Sequence, residues 1–348
     1  MTPTRTDDPL AILRRFAPGT ELRDVVDLIL RQRTGALILF GSGPEVDAVC
    51  SGGFILDDAD SSPTRVAELA KMDGGIVISA DATKILRANV QFIPNPKLAT
   101  LETGTRFRTA ERLAKQTGLA VLAISEEGSA LAVVYSGDER YTLRTPSELH
   151  AEANQNLVSL ERLRRRLEAS VDHLTITELN GVATVRDVVG VLEKVALVRR
   201  MGAQINRIVV ELGGGAHLTS IQTADLLDGV DDLGERIYDD YAPSRRRKSV
   251  FDKLAKIPTE KLHDAAHVAE EMGFGQVDEL VQPRGFRALA TVPRLPDPVR
   301  RDLVRHFGSL SRLKSATVAE LAEVDGVGSS RAELVYGYLD RLGNGDTG

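Results

Sequence analysis

The chain has 348 residues and a formal net charge of −6, and its 42% hydrophobic and 27% charged residues predict two or three globular domains. No apolar run approaches the roughly 20 residues that span a bilayer, and the start MTPTRTDDPLAILRRF lacks the apolar segment of a signal peptide. Cys50 is the single cysteine, which excludes an internal disulfide framework and a cysteine-based zinc site and fits a reducing, bacterial-type cytosol.

The first 145 residues alternate between helix and strand patterns, which predicts an α/β domain. Amphipathic periodicity favours helices over residues 8–16 and 21–33. Short apolar runs predict strands at ALILF (36–40), GIVIS (75–79), ANVQFI (88–93), LAVLAIS (119–125) and ALAVVY (130–135).

The chain becomes almost wholly helical from residue 147 to residue 280. SELHAEANQNLVSLERLRRRLEASVDHL predicts one long helix. Thr184 and Asp187 have the spacing of a helix cap, and the helix that follows is predicted to end at Gly202. Arg245–Lys248 lie in a predicted exposed connector, where a solvated role is favoured over a DNA contact. Residues 281–348 predict a compact set of short helices, so the expected domains are 1–146, 147–280 and 281–348.

The stretch ETGTRFRTAERLAKQTG, residues 102–118, predicts a helix whose start attracts an anion. We expect Thr105 to be the N-cap, with Arg106, Phe107 and Arg108 in the first turn and Thr109 one turn on. Cations oppose the dipole at a helix start unless an anion binds there, and phosphate is the obvious candidate. A solvated helix start with incidental arginines is the alternative.

Asp73 stands before two glycines and a buried strand run in the stretch KMDGGIVIS. An acidic side chain at that position can bind a divalent metal ion and deprotonate a nearby hydroxyl. A common Asp-Gly turn is the competing interpretation. Taken with the predicted phosphate-binding helix, Asp73 indicates a nucleotide site.

Three stretches, MDGGIVIS, ANVQFIPNP and ETGTRFRTAERLAKQTG, resemble the diadenylate cyclase domain of the DNA integrity scanning proteins. The resemblance extends along the whole chain and includes APGTELRDVVDLILRQRTGALI near its start. It implies a diadenylate cyclase domain with a mixed central sheet flanked by helices, followed by an all-α spine and a helix-hairpin-helix DNA-binding domain.

The resemblance also implies a reaction in which two ATP molecules form cyclic di-AMP and two pyrophosphates, with Mg²⁺ or Mn²⁺. Asp73 would bind the metal ion and help activate the 3′-hydroxyl, Gly74 and Gly75 would lie against the nucleotide, and Phe92 would line the adenine pocket. Residues Thr105 to Thr109 would cradle the triphosphate, with Arg106 and Arg108 in the catalytic set. Facing protomers would each supply one ATP, in a dimer at least and an octamer in the family's arrangement.

Two positions depart from the motifs of the family that the chain resembles. Phe107 stands where the family has histidine, and Gly75 stands where it has alanine. A histidine could donate a hydrogen bond to phosphate, and the loss of one such donor typically reduces the rate by about 10² to 10³. Gly75 removes a methyl group and is expected to loosen a loop. We therefore expect ATP binding to be retained while cyclase activity is reduced.

The segment LAEVDGVGSSRAELVYGYL, residues 321–339, predicts a helix-hairpin-helix motif. Gly326 and Gly328 permit the sharp turn, amides at the helix start Ser329 can bind a DNA phosphate, and Arg331 could add a contact. A companion hairpin upstream has Arg294 in its turn and lacks the two glycines. The segment 283–314 has two acidic residues against eight basic ones: Arg284, Arg287, Arg294, Arg300, Arg301, Arg305, Arg312 and Lys314.

The leading hypothesis is a cytoplasmic, nucleoid-associated diadenylate cyclase whose activity is repressed by branched double-stranded DNA. The main alternative is an ATP-binding, DNA-scanning oligomer whose cyclase activity is weak or lost because of Phe107 and Gly75. A third alternative is a DNA-repair scaffold in which the first domain only oligomerises.

Overall fold

The computed structural model describes residues 9–126, 131–242 and 249–343. The chain divides into two compact units: Met1–Asn154 with Asn206–Ser220 form unit 1, and Gln155–Ile205 with Ile221–Gly348 form unit 2. Arg245–Lys248, in the predicted connector, lie outside the described residues. The domain boundaries at residues 146 and 280 remain predictions.

Unit 1 contains a mixed sheet with helices on both faces. Its described elements are α1 (Pro9–Arg15), α2 (Glu21–Gln32), β1 (Ala36–Phe40), α3 (Pro44–Asp47), β2 (Cys50–Ser51), β3 (Phe54–Asp60), α4 (Pro63–Leu69), β4 (Gly75–Ile78), β5 (Lys84–Phe92), α5 (Thr105–Thr117), β6 (Ala120–Ile124), β7 (Ala132–Ser136) and β8 (Glu139–Leu143). The strand order is β2-β5-β4-β1-β6-β7-β8, and β3 also pairs with β5. Of the described strand pairs, β1 and β4 run parallel and the others antiparallel.

Both faces of the sheet are buried, because side chains that alternate along β1 enter two different cores. Ile38 and Phe40 belong to the core that includes Val26 and Ile29 of α2. Leu39 belongs to the opposite core, together with Leu113 of α5. This layered packing confirms the predicted α/β fold with a mixed sheet between helices.

The apolar strands were easier to predict than the polar ones. The predicted run 36–40 coincides with β1, and the run 75–79 is one residue longer than β4. Two strands are present that no apolar run predicted: β3, whose FILDDAD sequence carries three acidic residues, and β8, whose ERYTL sequence is mostly polar. Partly exposed strands of this kind lack the continuous apolar run that marks a buried strand.

Helices make up the rest of the described chain, apart from short loops and two 3-10 turns at Gly213–Ala216 and Thr259–Lys261. The helices are α6 (Pro146–Leu179), α7 (Val185–Leu212), α8 (His217–Leu227), α9 (Val230–Tyr241), α10 (Val250–Lys256), α11 (Ala265–Met272), α12 (Phe286–Ala290), α13 (Asp297–Phe307), α14 (Leu310–Ser315), α15 (Val318–Ala322) and α16 (Ser329–Gly343). The all-α character predicted for this part of the chain is confirmed.

The cap predicted before α7 is present, but the predicted end of that helix is wrong. The Thr184 amide and hydroxyl donate to one oxygen of Asp187 at 2.9 and 2.8 Å. The helix continues past Gly202 to Leu212. A Cβ on Gly202 would lie 2.6 Å from Cδ1 of Leu227, so this glycine permits a close approach of α8 and does not stop the helix.

Candidate nucleotide site and DNA hairpins

One edge of the sheet collects the predicted nucleotide-binding residues. Strands β1 and β4 run in parallel, with Ile38 opposite Ile76, so both strands begin at this edge. Strand β6 ends there, because Ala36 pairs with Ile124 in antiparallel register. Asp73 and Gly74, which precede β4, therefore lie at the same edge of the sheet as Glu126, which follows β6.

Asp73 is exposed in the turn before β4, and its carboxylate has no ion-pair or hydrogen-bond partner among the described residues. The next residue, Gly74, is packed against the backbone of β5. A Cβ there would lie 2.5 Å from Oδ1 and 2.6 Å from Cα of Asn89, a residue in the left-handed region with φ of 56°. The turn thus presents a free carboxylate on a closely packed support.

Helix α5 begins without a side-chain cap, so the predicted N-cap role of Thr105 is wrong. Gly104 is the N-cap, and Thr105 is the first helical residue. The first intrahelical hydrogen bond runs from the Arg108 amide to the Gly104 carbonyl at 2.9 Å, which leaves the three preceding amides free for an anion. The hydroxyl of Thr109 donates within the helix to the Thr105 carbonyl at 2.8 Å, so its proton is already committed.

The two arginines of this turn differ in their surroundings. Arg106 lies near the sheet edge, where its Nη1 and Nη2 atoms are 3.3 Å from the Ile124 carbonyl and the Glu126 carboxylate. Its guanidinium occupies the space beside Gly35, where a Cβ would be 2.1 Å from Nη1. Arg108 is exposed and has no partner in the described part of the chain. One guanidinium is therefore anchored and the other is free.

Phe92, Phe107 and Cys50 are partly buried against the same core as Leu113. The structure corrects the expectation for Gly75, which is the buried first residue of β4 and pairs with Val90, so it loosens no loop.

Two residues of this edge were missed in the sequence. Gly35 and Glu126 are distant from the motifs along the chain, and only the pairing of β1 with β6 brings them to Arg106. A signal for Glu126 was present in the sequence, since Ser125 and two glutamates directly follow the apolar run of β6.

A third carboxylate holds the loop that leads into α5. The Tyr135 hydroxyl donates to Oε1 of Glu102 at 2.7 Å, and Nε of Arg140 donates to the same oxygen at 2.8 Å. Burial, followed by the hydrogen bond to Glu102, raises the pKa of the Tyr135 hydroxyl, so this group remains a donor at neutral pH. Strands β7 and β8 thereby fix the approach to the helix start.

The predicted helix-hairpin-helix has the expected elements. Helices α15 and α16 flank the turn, α16 begins at Ser329, and Gly326 has φ of 78°. A Cβ on Gly328 would meet open space, so an elongated ligand can approach the backbone there. Nη1 of Arg331 donates to the Gly326 carbonyl at 2.7 Å, which ties this arginine to the turn.

The upstream hairpin between α12 and α13 follows the same pattern, with Arg294 in the place of Gly326. Arg294 adopts the left-handed region with φ of 57°, and its side chain is exposed. Buried Val292 and Leu295 occupy the places of Val324 and Val327, and all four belong to one core. The two hairpins therefore share a backbone turn although one lacks glycine.

The comparisons with known proteins agree along the chain. Residues 23–139 match the model described as DisA bacterial checkpoint controller nucleotide-binding, residues 143–281 its linker region, and residues 298–346 a helix-hairpin-helix motif. DNA integrity scanning protein DisA of Streptomyces coelicolor is 42% identical over 95% of this chain and 91% of its own. The same protein of Kineococcus radiotolerans is 43% identical over 98% and 97%. The chain belongs to the DNA integrity scanning protein family.

In this DNA integrity scanning protein, the matched nucleotide-binding region contains every predicted ATP-site residue from Asp73 to Thr109. The helix-hairpin-helix match begins at residue 298, after Arg294. Among solved structures, DacA from Staphylococcus aureus is similar over 39% of this chain and 88% of its own, with 21% identity and a TM-score of 0.30. No helix in the described ranges is both long and apolar enough to cross a membrane.

Half of the basic side chains in segment 283–314 bind carbonyl or carboxylate oxygens of other described residues. Arg284 donates to the carbonyls of Asp239 and Ala242, and Arg287 pairs with Glu178. Arg300 and Arg305 pair with the two aspartates of the segment. Four cations have no partner among the described residues: Arg294, Arg301, Arg312 and Lys314.

The metal ion that the family resemblance implies would need ligands near Asp73. No group of three metal-ligating side chains occurs in the described ranges. The Asp73 carboxylate would be a single protein ligand with oxygen donors. Such a ligand suits Mg²⁺ or Mn²⁺, because these ions bind one or two carboxylates together with substrate phosphates and water. The residues thus fit a metal ion that arrives with a nucleotide.

Proposed function

We propose that this chain is a diadenylate cyclase that condenses two ATP molecules into cyclic di-AMP and releases two pyrophosphates. The observation that supports it most is the sheet edge, where the free carboxylate of Asp73 is accompanied by the uncapped, cationic start of α5. A carboxylate can remove the proton of a hydroxyl that attacks phosphorus, and the amides and arginines can stabilise the negative charge that develops on the phosphates.

The proposed reaction forms two phosphodiester bonds between facing protomers. Each 3′-hydroxyl oxygen attacks the α-phosphorus of the opposite ATP, and the bond to the bridging oxygen of pyrophosphate breaks with its electron pair on the leaving group. Asp73 helps to remove the hydroxyl proton. Arg106, Arg108 and the first amides of α5 offset the charge that builds on pyrophosphate. Bound Mg²⁺ or Mn²⁺ would supply further charge neutralisation, with Asp73 as its protein ligand.

We further propose the partners of this reaction. One chain presents one ATP, so the minimum active assembly is a face-to-face dimer, and an octamer is the proposed full assembly. The hairpins would bind branched double-stranded DNA, through Gly326, Gly328, Ser329, Arg331 and Arg294, and this binding would repress the cyclase. The protein would act in the bacterial cytoplasm, associated with the nucleoid.

The test is a turnover assay with labelled ATP and Mn²⁺, in the presence and absence of four-way junction DNA. Wild-type protein should yield cyclic di-AMP on chromatography, and the junction should lower the yield. Asp73→Asn should abolish product while the assembly size on gel filtration stays unchanged. Continued synthesis by Asp73→Asn would remove the role of this carboxylate, and absence of product from the wild type would refute the cyclase.

A second candidate is an ATP-binding, DNA-scanning oligomer with weak or lost cyclase activity. Phe107 favours it, because its ring packs on the core where the family's histidine could donate to phosphate. Calorimetric ATP binding without any product in the turnover assay would support this candidate over the cyclase.

A further inference from the structure

Gly75 and Phe92 fit together as a small and a large residue. A Cβ on Gly75 would lie 2.0 Å from Cε2, 2.4 Å from Cδ2 and 3.0 Å from Cζ of Phe92. These distances are far below van der Waals contact, so the ring occupies the volume that any side chain at position 75 would need. The aromatic ring therefore has its position only because residue 75 is glycine.

The neighbouring glycine is constrained by a different group. A Cβ on Gly74 would collide with backbone atoms of Asn89, at 2.6 Å from both C and Cα. No side-chain substitution can relieve a collision with backbone, whereas a smaller residue at position 92 would relieve the collision at Gly75. A smaller residue at position 92 should therefore rescue an alanine at position 75 and should not rescue an alanine at position 74.

Phe92 stands at the end of β5, where it pairs with Cys50, and the residue is partly exposed. The cations and free amides at the start of α5 suit phosphates, while an apolar ring suits a planar base. A ring already held in one position loses little conformational entropy when a base binds. Gly75, two residues after Asp73, is close enough along the chain to link that ring to the proposed reaction centre.

We propose that Gly75 is a positioning residue of the proposed nucleotide site: its missing side chain leaves the volume that the Phe92 ring fills, and this size match holds the ring where it can contact a purine base. This inference rests on the proposed nucleotide site. In this chain the Phe92 ring fills the space that the methyl group of an alanine at position 75 would take. The difference from the family's alanine is therefore compensated by Phe92.

The test is a double-mutant cycle of wild type, Gly75→Ala, Phe92→Leu and the double variant, each titrated by calorimetry with a non-hydrolysable ATP analogue and its cytosine counterpart, because a ring that stacks on a purine should prefer the larger base. Gly75→Ala should weaken binding of the ATP analogue by about tenfold, because the displaced ring is overpacked. The double variant should bind as Phe92→Leu alone does. Both variants with Leu at position 92 should discriminate less between the two analogues, a change that a merely structural role of Phe92 would not produce.

Wild-type binding by Gly75→Ala, or a penalty of the alanine that persists beside Leu at position 92, would overturn the inference. Should Gly75→Ala fail to fold, recovery of folding in the double variant supports the size match, and failure of both variants contradicts it. Gly74→Ala is the matched control, which Phe92→Leu should not rescue. Binding is measured without turnover, so a cycle that shows coupling in the absence of any cyclic di-AMP would refute the cyclase and leave this inference intact.

Discussion

Phe107 contributes both to the core of unit 1 and to the start of α5. Its ring packs partly into the core with Leu113, while its backbone amide lies in the free first turn of α5. We predict that Phe107→His raises kcat by about 10² to 10³, because the imidazole adds a donor for the charge on the departing pyrophosphate. The same change should lower the free energy of unfolding by about 1 kcal/mol through lost apolar contact.

Steady-state turnover with ATP and Mn²⁺, together with thermal unfolding, measures both effects of the Phe107 change. Phe107→Leu serves as the control, since it alters the packing without adding a donor. If wild type, the His variant and the Leu variant turn over equally fast, the absence of the histidine has no catalytic consequence.

The start of α5 is a case in which helix stability and ligand binding oppose one another. Gly104 has φ of −76° and ψ of 138°, which any residue can adopt, and a Cβ there would meet only Cδ2 of Phe107 at an ordinary 3.5 Å. We predict that Gly104→Asp stabilises the protein by a few tenths of a kcal/mol, because the carboxylate caps the free amides better than glycine does. The same carboxylate should weaken ATP binding at least tenfold, since it occupies and repels the phosphate position.

Thermal unfolding and calorimetry with ATP measure these opposite changes, and Gly104→Ala controls for the added Cβ. A Gly104→Asp variant that binds ATP as tightly as wild type would show that the free amides of α5 do not hold the phosphates.

The carboxylate of Asp240 anchors the start of α12 within unit 2. It is 2% exposed and accepts hydrogen bonds from the amides of Gly285, Phe286 and Arg287. Burial is the largest influence and raises the pKa of Asp240 to about 6, with a smaller contribution from Glu178. In the unfolded chain the pKa returns to about 3.9, so the folded state binds the extra proton between these values.

Stability from this group is therefore present below about pH 4 and is lost as the pH rises through 6. We predict that the free energy of unfolding of wild type, relative to Asp240→Asn, falls by about 2 to 3 kcal/mol over that window. Urea unfolding of both proteins at pH 4, 5, 6 and 7 measures the difference. A difference that does not vary with pH would mean that Asp240 titrates at its ordinary value.

Local patterns predicted the elements that bury a continuous apolar face, and they predicted less where a contact joins distant residues. The run ALILF needed only its own sequence to be identified as β1. Gly202 was predicted to end its helix because glycine is common just after helix ends. Its close contact with Leu227, which explains the glycine, is between residues distant in the sequence and cannot be predicted from a local pattern.

The site shows the same limit. Asp73, Arg106 and Arg108 lie in short motifs and could be found by chemistry alone. Gly35 and Glu126 reach Arg106 only through strand pairing, and the contact of Gly75 with Phe92 requires the register of β4 on β5.

At the scale of the whole molecule, an acidic chain has to bind a polyanion through a small set of free cations. The net charge is −6, and four basic side chains of segment 283–314 have no partner in the part of the chain that the structure describes. We predict that junction-DNA affinity falls steeply with salt, and that replacing Arg294, Arg301, Arg312 and Lys314 by alanine lowers the slope of log K against log salt by up to about 4. Fluorescence anisotropy at several salt concentrations measures the slope. The paired Arg305, replaced by alanine, should change it less than any free cation does.

The proposed assembly also makes a quantitative prediction. Cyclic di-AMP requires two attacks, each assisted by the Asp73 of one protomer, so a pair that contains one Asp73→Asn chain can form the first bond and cannot close the ring. If wild-type and variant chains assort at random, an equal mixture should retain about one quarter of the wild-type activity, whereas independent protomers would retain about one half. Co-expressed chains with distinguishable tags, purified together and assayed by chromatography, provide the measurement.

The mixed pairs should also accumulate the linear, singly joined dinucleotide that still carries a triphosphate. The control is wild type mixed with chains that carry only the second tag, which should show full activity at every ratio. Activity that falls in direct proportion to the wild-type fraction, without the linear product, would mean that one protomer completes both steps. Because both attacking groups belong to facing chains in our proposal, the quadratic loss and the linear product must appear together.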